Sequence, residues 1–199
     1  GISNHGGQRH TVIGNQIYNV GGCLSLGSSS GGASAYSGGD HVIIGNDCDS
    51  GPSYANTGHC SFQGGTSQYL TNVRIIGNSF RRMGLPNSAT GGAVRLVYTS
   101  RINVCDNAIR DWRGHGVYMA NSSAINISGN QISKLSAVDT YGYAITTDSD
   151  ISELFIIGNH VITGGGTIAA RGISLYASAT SLVSCRSNFL TATTPITGT

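Results

Sequence analysis

Basic and aromatic side chains concentrate in one part of the chain. Eleven residues are Lys or Arg, and seven of these lie within residues 74–113: Arg74, Arg81, Arg82, Arg95, Arg101, Arg110 and Arg113. Guanidinium groups bind carboxylates through paired hydrogen bonds, and aromatic rings offer flat apolar surfaces on which sugars pack. We therefore predict a site for an acidic sugar formed by Arg81, Arg82, Arg95, Arg110, Trp112, Arg113 and Tyr118.

The same residues also allow a purely structural interpretation. The arginines could form a surface ion-pair cluster or a subunit interface, and Trp112 could cap the core. Arg82 and Asp111 hold equivalent positions in neighbouring repeats, so Asp111 could simply neutralise the repulsion between arginines. Both interpretations remain open from the sequence.

Glycan hydrolysis requires two carboxylates, about 5–5.5 Å apart in retaining enzymes and about 6.5–9.5 Å apart in inverting enzymes. Only nine residues are Asp or Glu, and the best local pair lies in "TTDSD". Asp148 and Asp150 are expected on one side of an extended segment, about 6–7 Å apart. Because Asp and Ser also favour turns, turn formation is the favoured interpretation of this segment.

An elimination reaction on an acidic glycan needs a base and a cation rather than two acids. Arg113, His115 and Tyr118 supply those residue types within one repeat. The candidate catalytic residues are therefore Asp111, His115, Asp148 and Asp150, and the sequence does not choose between hydrolysis and elimination.

Composition narrows the class of protein. The chain has 199 residues, of which 10% are charged and 39% hydrophobic, whereas about 25% charged residues is ordinary. A net charge of +2 is too small to indicate a nucleic-acid partner. No apolar run approaches the roughly 20 residues of a membrane span, so membrane insertion is not expected.

Cysteine and histidine residues show no metal-site pattern. The chain has five cysteines. An odd number of widely spaced cysteines argues against a disulfide framework or a zinc site. We expect them to be small buried side chains. His10 and His41 hold equivalent inward positions and are expected to stack on each other. No metal ion and no cofactor is expected.

One phrase recurs down the chain and sets the architecture. "HTVIGNQI", "HVIIGNDC", "VRIIGNSF", "INVCDNAI", "INISGNQI", "LFIIGNHV" and "VSCRSNFL" align on Asn15, Asn46, Asn78, Asn107, Asn130, Asn159 and Asn188. Their spacings are 31, 32, 29, 23, 29 and 29 residues. Self-similarity at a period of 20–50 residues indicates a solenoid, a propeller or an array.

Alternation within the phrase selects among these architectures. Apolar residues stand three before and two after each aligned Asn, which predicts strands rather than helices. A second strand precedes each later phrase: "CLSLG", "HCSFQ", "AVRLV", "GVYMA", "AITTD" and "GISLY". A repeat of 23 residues is too short for a four-stranded propeller blade. The sequence predicts an all-β, right-handed parallel β-helix of about seven coils with a ladder of stacked asparagines.

The repeated "IxGNxI" phrase and the stretch "DNAIRDWRGHGVYMANSS" followed by "INISGNQI" resemble the single-stranded right-handed β-helix superfamily. Within that superfamily, whose members include pectate lyases, the chain looks most like a bacteriophage tailspike or capsule depolymerase. The resemblance implies a homotrimer, on a phage tail or outside the cell, that binds and cleaves a bacterial surface polysaccharide. It covers residues 1–199, which we interpret as one β-helix domain cut from a longer chain.

Two other functions remain open. A non-catalytic spike or adhesin module would explain the shortage of carboxylate pairs. A free secreted polysaccharide lyase, hydrolase or epimerase would share the fold without the trimer. Fold alone does not decide among them.

Overall fold

The described part of the chain is built from parallel β-strands alone. The structure is a computed structural model that describes residues 1–4, 8–27, 38–51, 59–66, 68–85, 88–134, 142–163, 171–176, 183–191 and 196–198. Within these residues there are 22 strands and no helix, and hence no helix able to cross a membrane. The strands form three sheets, which we name A, B and C.

Each coil contributes one strand to each sheet in turn. Sheet A contains β1 (Ile2–Asn4), β4 (Leu24–Gly27), β7 (Cys60–Gln63), β10 (Gly92–Val97), β13 (His115–Ala120), β16 (Tyr143–Thr147), β19 (Arg171–Leu175) and β22 (Ile196–Gly198). Sheet B contains β2 (Thr11–Ile13), β5 (Val42–Ile44), β8 (Leu70–Ile76), β11 (Thr99–Cys105), β14 (Ser122–Ser128), β17 (Ile151–Ile157) and β20 (Val183–Arg186). Sheet C contains β3 (Gln16–Tyr18), β6 (Asp47–Asp49), β9 (Ser79–Arg81), β12 (Ala108–Arg110), β15 (Gln131–Lys134), β18 (His160–Thr163) and β21 (Phe189–Thr191).

This topology confirms the predicted parallel β-helix. Every neighbouring pair of strands within a sheet is parallel and joins equivalent positions of successive coils. The strands predicted before each repeated phrase are the sheet A strands from β4 to β19, and the phrase itself supplies a strand of sheet B and a strand of sheet C.

Apolar stacks fill the interior. In sheet B, Ile75, Val104, Ile127 and Ile156 pair in register across four coils, and all four are fully buried. Burying one such side chain stabilises the fold by roughly 1.5–3 kcal/mol. The period-2 pattern read from the sequence therefore marks the core face correctly.

The asparagine ladder runs along the corner between sheets B and C. The Oδ1 atom of Asn107 accepts hydrogen bonds from the backbone N and the Nδ2 of Asn78, at 2.9 and 3.0 Å. The Nδ2 of Asn78 also donates to the backbone oxygen of Ile43 at 3.0 Å. Because the same bonds join each pair of rungs from Asn15 to Asn188, a buried amide is satisfied at every interior rung.

The residue before each ladder asparagine adopts a left-handed backbone. Gly77 has a φ of 63°, and Asp106 and Ser187 have φ values of 56° and 55° at the equivalent corners. Glycine takes this conformation without a Cβ clash, and Asp tolerates it better than most residues. The corner therefore explains why the phrase contains Gly-Asn in five coils.

One expectation about the cysteines is wrong. Cys23 and Cys48 form a disulfide with a Cα–Cα distance of 6.0 Å, although widely spaced cysteines were expected to be unbonded. Cys23 comes just before sheet A and Cys48 lies in sheet C, so the coil brings them together across the interior. Cys60 is free and fully buried, as expected for a core side chain.

Candidate functional site

The structure divides the predicted basic and aromatic cluster among three places. Arg81 and Arg110 lie on the outer face of sheet C, and Arg82 follows directly after β9. Trp112 and Arg113 lie in the buried turn that leads from sheet C to sheet A. Arg95 and Tyr118 lie on the outer face of sheet A. The single corner expected from the sequence is therefore two surfaces separated by a buried turn.

Trp112 belongs to the core. Its side chain is fully buried, and the Nζ of Lys134 lies 4.2 Å from the centre of its ring. The ring has no exposed face, so the expectation that it packs against a sugar is not met, and the alternative that it caps the core fits. Arg113 is also buried, and one of its guanidinium nitrogens donates to the Gly51 carbonyl at 3.4 Å.

Arg81 and Arg82 share one buried carboxylate. The Nε atoms of both arginines donate to Asp49 at 2.8 Å, and a second guanidinium nitrogen of each forms an ion pair with it. Burial alone would raise the pKa of Asp49, but the hydrogen bonds from Arg82 and Gly51 and the arginine charges hold it below the ordinary value. The ion-pair partner of Arg82 is thus Asp49, rather than the Asp111 expected from the sequence.

Arg110 differs from Arg81 and Arg82 in having no ion pair with Asp49. It is the strand partner of Arg81, it lies at the surface, and it makes no ion pair with any described carboxylate. Asp111 follows it, half-buried at the end of β12. These two residues remain predicted site residues.

Arg95, Tyr118 and Asp148 converge on the outer face of sheet A. Arg95 and Tyr118 are partners in the pairing of β10 with β13. The Tyr118 hydroxyl donates to the Asp148 carboxylate at 2.7 Å, and a guanidinium nitrogen of Arg95 donates to Gln63 Oε1, also at 2.7 Å. A cation, a phenol and an exposed carboxylate therefore lie side by side across three coils.

Burial and charge fix the protonation of Tyr118. Burial raises the pKa of its hydroxyl, and the hydrogen bond to Asp148 and the negative charge of that group raise it further. Tyr118 therefore stays protonated and acts as a hydrogen-bond donor, not as a base. Burial lowers the pKa of Arg95, but an arginine remains charged in proteins.

His115 is buried next to this site and packs against Tyr118. Its Nδ1 accepts a hydrogen bond from the Tyr143 backbone N at 3.1 Å, and its Nε2 lies 3.2 Å from the Ala89 carbonyl. This arrangement requires the neutral tautomer with the proton on Nε2. The ring is buried and tilted against Tyr118, with centres 5.8 Å apart. His115 is placed to position Tyr118 rather than to meet a substrate.

An apolar patch borders the polar group. Val97, Tyr118 and Ala120 form a small cluster of buried side chains separate from the interior core, and half-buried Tyr98 packs against it. Tyr69 packs edge-on against Tyr98. Beyond Asp148, the side chain of Tyr176 is 56% exposed just after β19. These aromatic residues were not predicted from the sequence. The alternation of the strands could have located the cluster, because Val97 and Ala120 stand two positions after the outward residues Arg95 and Tyr118.

A cavity of about 420 Å³ opens at the Arg95 end of this face. Ser25, His59, Ser61, Gln63 and Arg95 contribute to its walls. Burial and the nearby charge of Arg95 lower the pKa of His59, so its ring is neutral at pH 7. The cavity is therefore lined by one cation and several neutral hydrogen-bonding groups, a set suited to sugar hydroxyls and a carboxylate.

The two carboxylates predicted for hydrolysis are both exposed. Asp148 and Asp150 follow directly after β16. The backbone N of Asp148 donates to Met119, and the backbone oxygen of Asp150 accepts from Ser122. These bonds make the segment an ordered turn, and only Asp148 has a side-chain partner among the described hydrogen bonds.

Three sulfur atoms form the single described group of His, Cys, Asp and Glu side chains that meets the spacing of a metal site. Cys23, Cys48 and Cys60 have sulfurs within 4.8 Å of one another. Because two of these sulfurs are bonded to each other, they cannot act as thiolate ligands while oxidised.

A comparison with known protein families identifies the family of the chain. Residues 1–188 match the family model described as "Right handed beta helix region". The chain therefore belongs to the right-handed β-helix family, in agreement with the parallel sheets and the asparagine ladder. No curated protein and no solved structure matches the chain.

Proposed function

We propose that the protein is a tailspike-like module that binds a bacterial surface polysaccharide, either capsule or O-antigen, across the outer face of sheet A. The observation that carries the proposal is the convergence of Arg95 and the exposed Asp148 on Tyr118, beside the half-buried ring of Tyr98 and the exposed ring of Tyr69. Arginine and carboxylate groups hydrogen-bond sugar substituents, and tyrosine rings pack on sugar faces.

A second candidate is cleavage of the same glycan by hydrolysis. The supporting observation is that Asp148 and Asp150 are both exposed where β16 ends beside the proposed glycan face. In such a reaction, one of the two carboxyl groups would protonate the leaving oxygen, and the other would activate water or attack the sugar directly. Elimination has less support, because Arg113 and His115 are buried and Tyr118 is held protonated.

The assembly and location are part of the proposal. By its resemblance to tailspikes, the protein would be a homotrimer on a phage tail or outside the cell. Such an assembly could complete the glycan site between neighbouring subunits. A mass measurement in solution tests the trimer, and a monomer would leave only the glycan-binding part of the proposal.

Glycan binding can be tested with purified capsular and O-antigen polysaccharides on a biosensor surface. We expect Arg95→Ala and Tyr98→Ala to weaken binding of the recognised polysaccharide by about tenfold or more. Arg110→Ala is the matched control, because it removes an exposed arginine from sheet C. Loss of binding in Arg110→Ala alone would move the site to sheet C and contradict the proposal.

A reducing-end assay on the bound polysaccharide tests the second candidate. Hydrolysis predicts new reducing ends with the native protein and none with Asp148→Asn or Asp150→Asn. Binding without new reducing ends would leave the protein a non-catalytic glycan-binding module.

A further inference from the structure

Sheet B bends at one residue in each of its long strands. The bend residues have left-handed backbones, with φ values of 54° at Asn72, 57° at Arg101, 51° at Ala124 and 56° at Glu153. In β11, Ser100 and Ile102 pair with β14 while Arg101 between them does not. In the coil before β8, Asp40 holds the position equivalent to Asn72 and has a φ of 61°. The bends therefore stack into a column along the outside of the rod.

A cavity of about 500 Å³ lies along this column. It is lined by Asp40, Asn72, Arg74, Arg101, Asn103 and Ala124. Arg101 and Ala124 are opposite each other, because their neighbours on both sides are paired. The methyl group of Ala124 leaves space beside Arg101 that a longer side chain would occupy.

Two unpaired cations line this cavity. Arg74 and Arg101 are exposed, and in the described residues neither has a hydrogen bond through its side chain or an ion pair. Both described ion pairs involve Asp49 on sheet C. The Asn72 amide donates to Asp40 Oδ1 at 3.1 Å, so the one acidic side chain that lines the cavity is hydrogen-bonded to Asn72. The site thus has a cationic part and a polar, hydrogen-bonding part.

We propose that this groove on sheet B is a second binding site, which takes a sugar bearing a carboxylate. The carboxylate lies between Arg74 and Arg101, where planar guanidinium groups match its two oxygens. The sugar hydroxyls face Asn103, Asn72 and Asp40, which offer both donors and acceptors. A neutral sugar would give Arg74 and Arg101 no anionic partner. A small anion would form no hydrogen bonds with the polar side chains at the rest of the cavity.

This inference stands apart from the proposed function. The sheet A face uses Arg95, which belongs to a different cavity on a different sheet. Binding at either face can therefore be lost without loss at the other.

The test is an NMR titration of the ¹⁵N-labelled protein with sodium glucuronate, compared with glucose and sodium acetate. We expect shift changes at the Arg74, Arg101 and Asn103 signals with glucuronate, and a dissociation constant raised about tenfold or more by Arg74→Ala or Arg101→Asn. Asn replaces Arg101 because it tolerates the left-handed backbone. Spectra of the free variants establish that each remains folded.

Arg186→Ala is the matched control, because Arg186 is also an exposed arginine of sheet B but lies outside the cavity. It should leave glucuronate binding within about twofold, as should Arg95→Ala. The proposal is wrong if glucose or acetate binds as tightly as glucuronate. Unchanged glucuronate binding in both Arg74→Ala and Arg101→Asn would also overturn it.

Discussion

Asp49 is the carboxylate that forms the ion pairs with arginine in the described residues, although it was not among the predicted site residues. Its side chain is almost fully buried, yet it neutralises two arginines that appear in the sequence as a free basic pair. Asp49, Arg81 and Arg110 share one column, because β6 pairs with β9 and β9 with β12. The aligned repeats therefore contain a sequence signal for this ion pair, namely a carboxylate in the same column as two arginines.

Replacing Asp49 by Asn should destabilise the protein by about 2 kcal/mol, because two guanidinium groups lose their shared partner. Urea denaturation at pH 7 measures the change. Asp47→Asn is the control, since Asp47 accepts one hydrogen bond from the exposed Tyr18 and should cost under about 1 kcal/mol. Equal effects of the two substitutions would contradict this role of Asp49.

His41 should make stability depend on mildly acidic pH. Its ring stacks on His10 with centres 5.0 Å apart, as predicted. Its Nδ1 accepts a hydrogen bond from the His10 backbone N at 3.2 Å. Burial and the neighbouring His10 lower its pKa. Because the unfolded chain binds the proton first, the stabilisation is full above the unfolded pKa of about 6.5 and is lost as pH falls below it.

The measurement is the melting temperature between pH 8 and pH 5 for the native protein and His41→Asn. Asn keeps a hydrogen-bond acceptor but does not titrate, so its melting temperature should fall less toward pH 5. Parallel curves for the two proteins over this range would show that His41 does not carry the dependence.

At the scale of the element, the ladder asparagines differ by their position in the stack. Asn107 accepts two hydrogen bonds from Asn78 and donates two of its own, to Asn130 and to the Ile75 carbonyl. Asn15, at the first rung, is only half-buried, and it donates through its side chain to Asn46 and Ile13. Interior and terminal rungs should therefore contribute unequally.

We expect Asn107→Ala to destabilise the protein by about 3 kcal/mol or more, because it leaves buried donors of Asn78 without an acceptor. Asn15→Ala should cost about 1 kcal/mol. Denaturant unfolding of both variants provides the comparison, and equal losses would show that the ladder does not act as a continuous stack.

The elements were predictable where the chain repeats and not where the repeats differ. Period-2 alternation located the inward residues, including Ile75 and Phe80, and the aligned Gly-Asn pairs located the corners. The turn after β12 was misassigned, because nothing in "RDWRGHG" indicates that Trp112 and Arg113 face inward. Their direction depends on packing against Lys134, which lies one coil away, and Gly51, which lies two coils away.

At the scale of the molecule, the disulfide joins the entry of β4 to β6 across one coil near the start of the solenoid. Cys23 and Cys48 are 25 residues apart, so closing that loop should stabilise the fold by about 3 kcal/mol. The sequence could not show this pairing, since linear spacing gives no distance between sheet A and sheet C. Only the stacked coil brings the two cysteines together.

Thiol counting by alkylation and mass spectrometry checks the pairing. The unreduced, denatured protein should show three free thiols, from Cys60, Cys105 and Cys185, and Cys23→Ala should show four modified sites or an intermolecular bond at Cys48. Reduction should lower the denaturation midpoint of the native protein and leave that of the Cys23→Ala/Cys48→Ala variant unchanged. Five free thiols without reduction would exclude the disulfide.

We propose that the solenoid binds a polysaccharide on the outer face of sheet A. The most direct measurement is hydrogen exchange with and without an oligosaccharide of the polysaccharide that the protein binds. We expect protection in residues 92–98, 115–120 and 143–148, with little change at 79–82 and 108–110. Protection confined to 79–82 and 108–110, on sheet C, would contradict it.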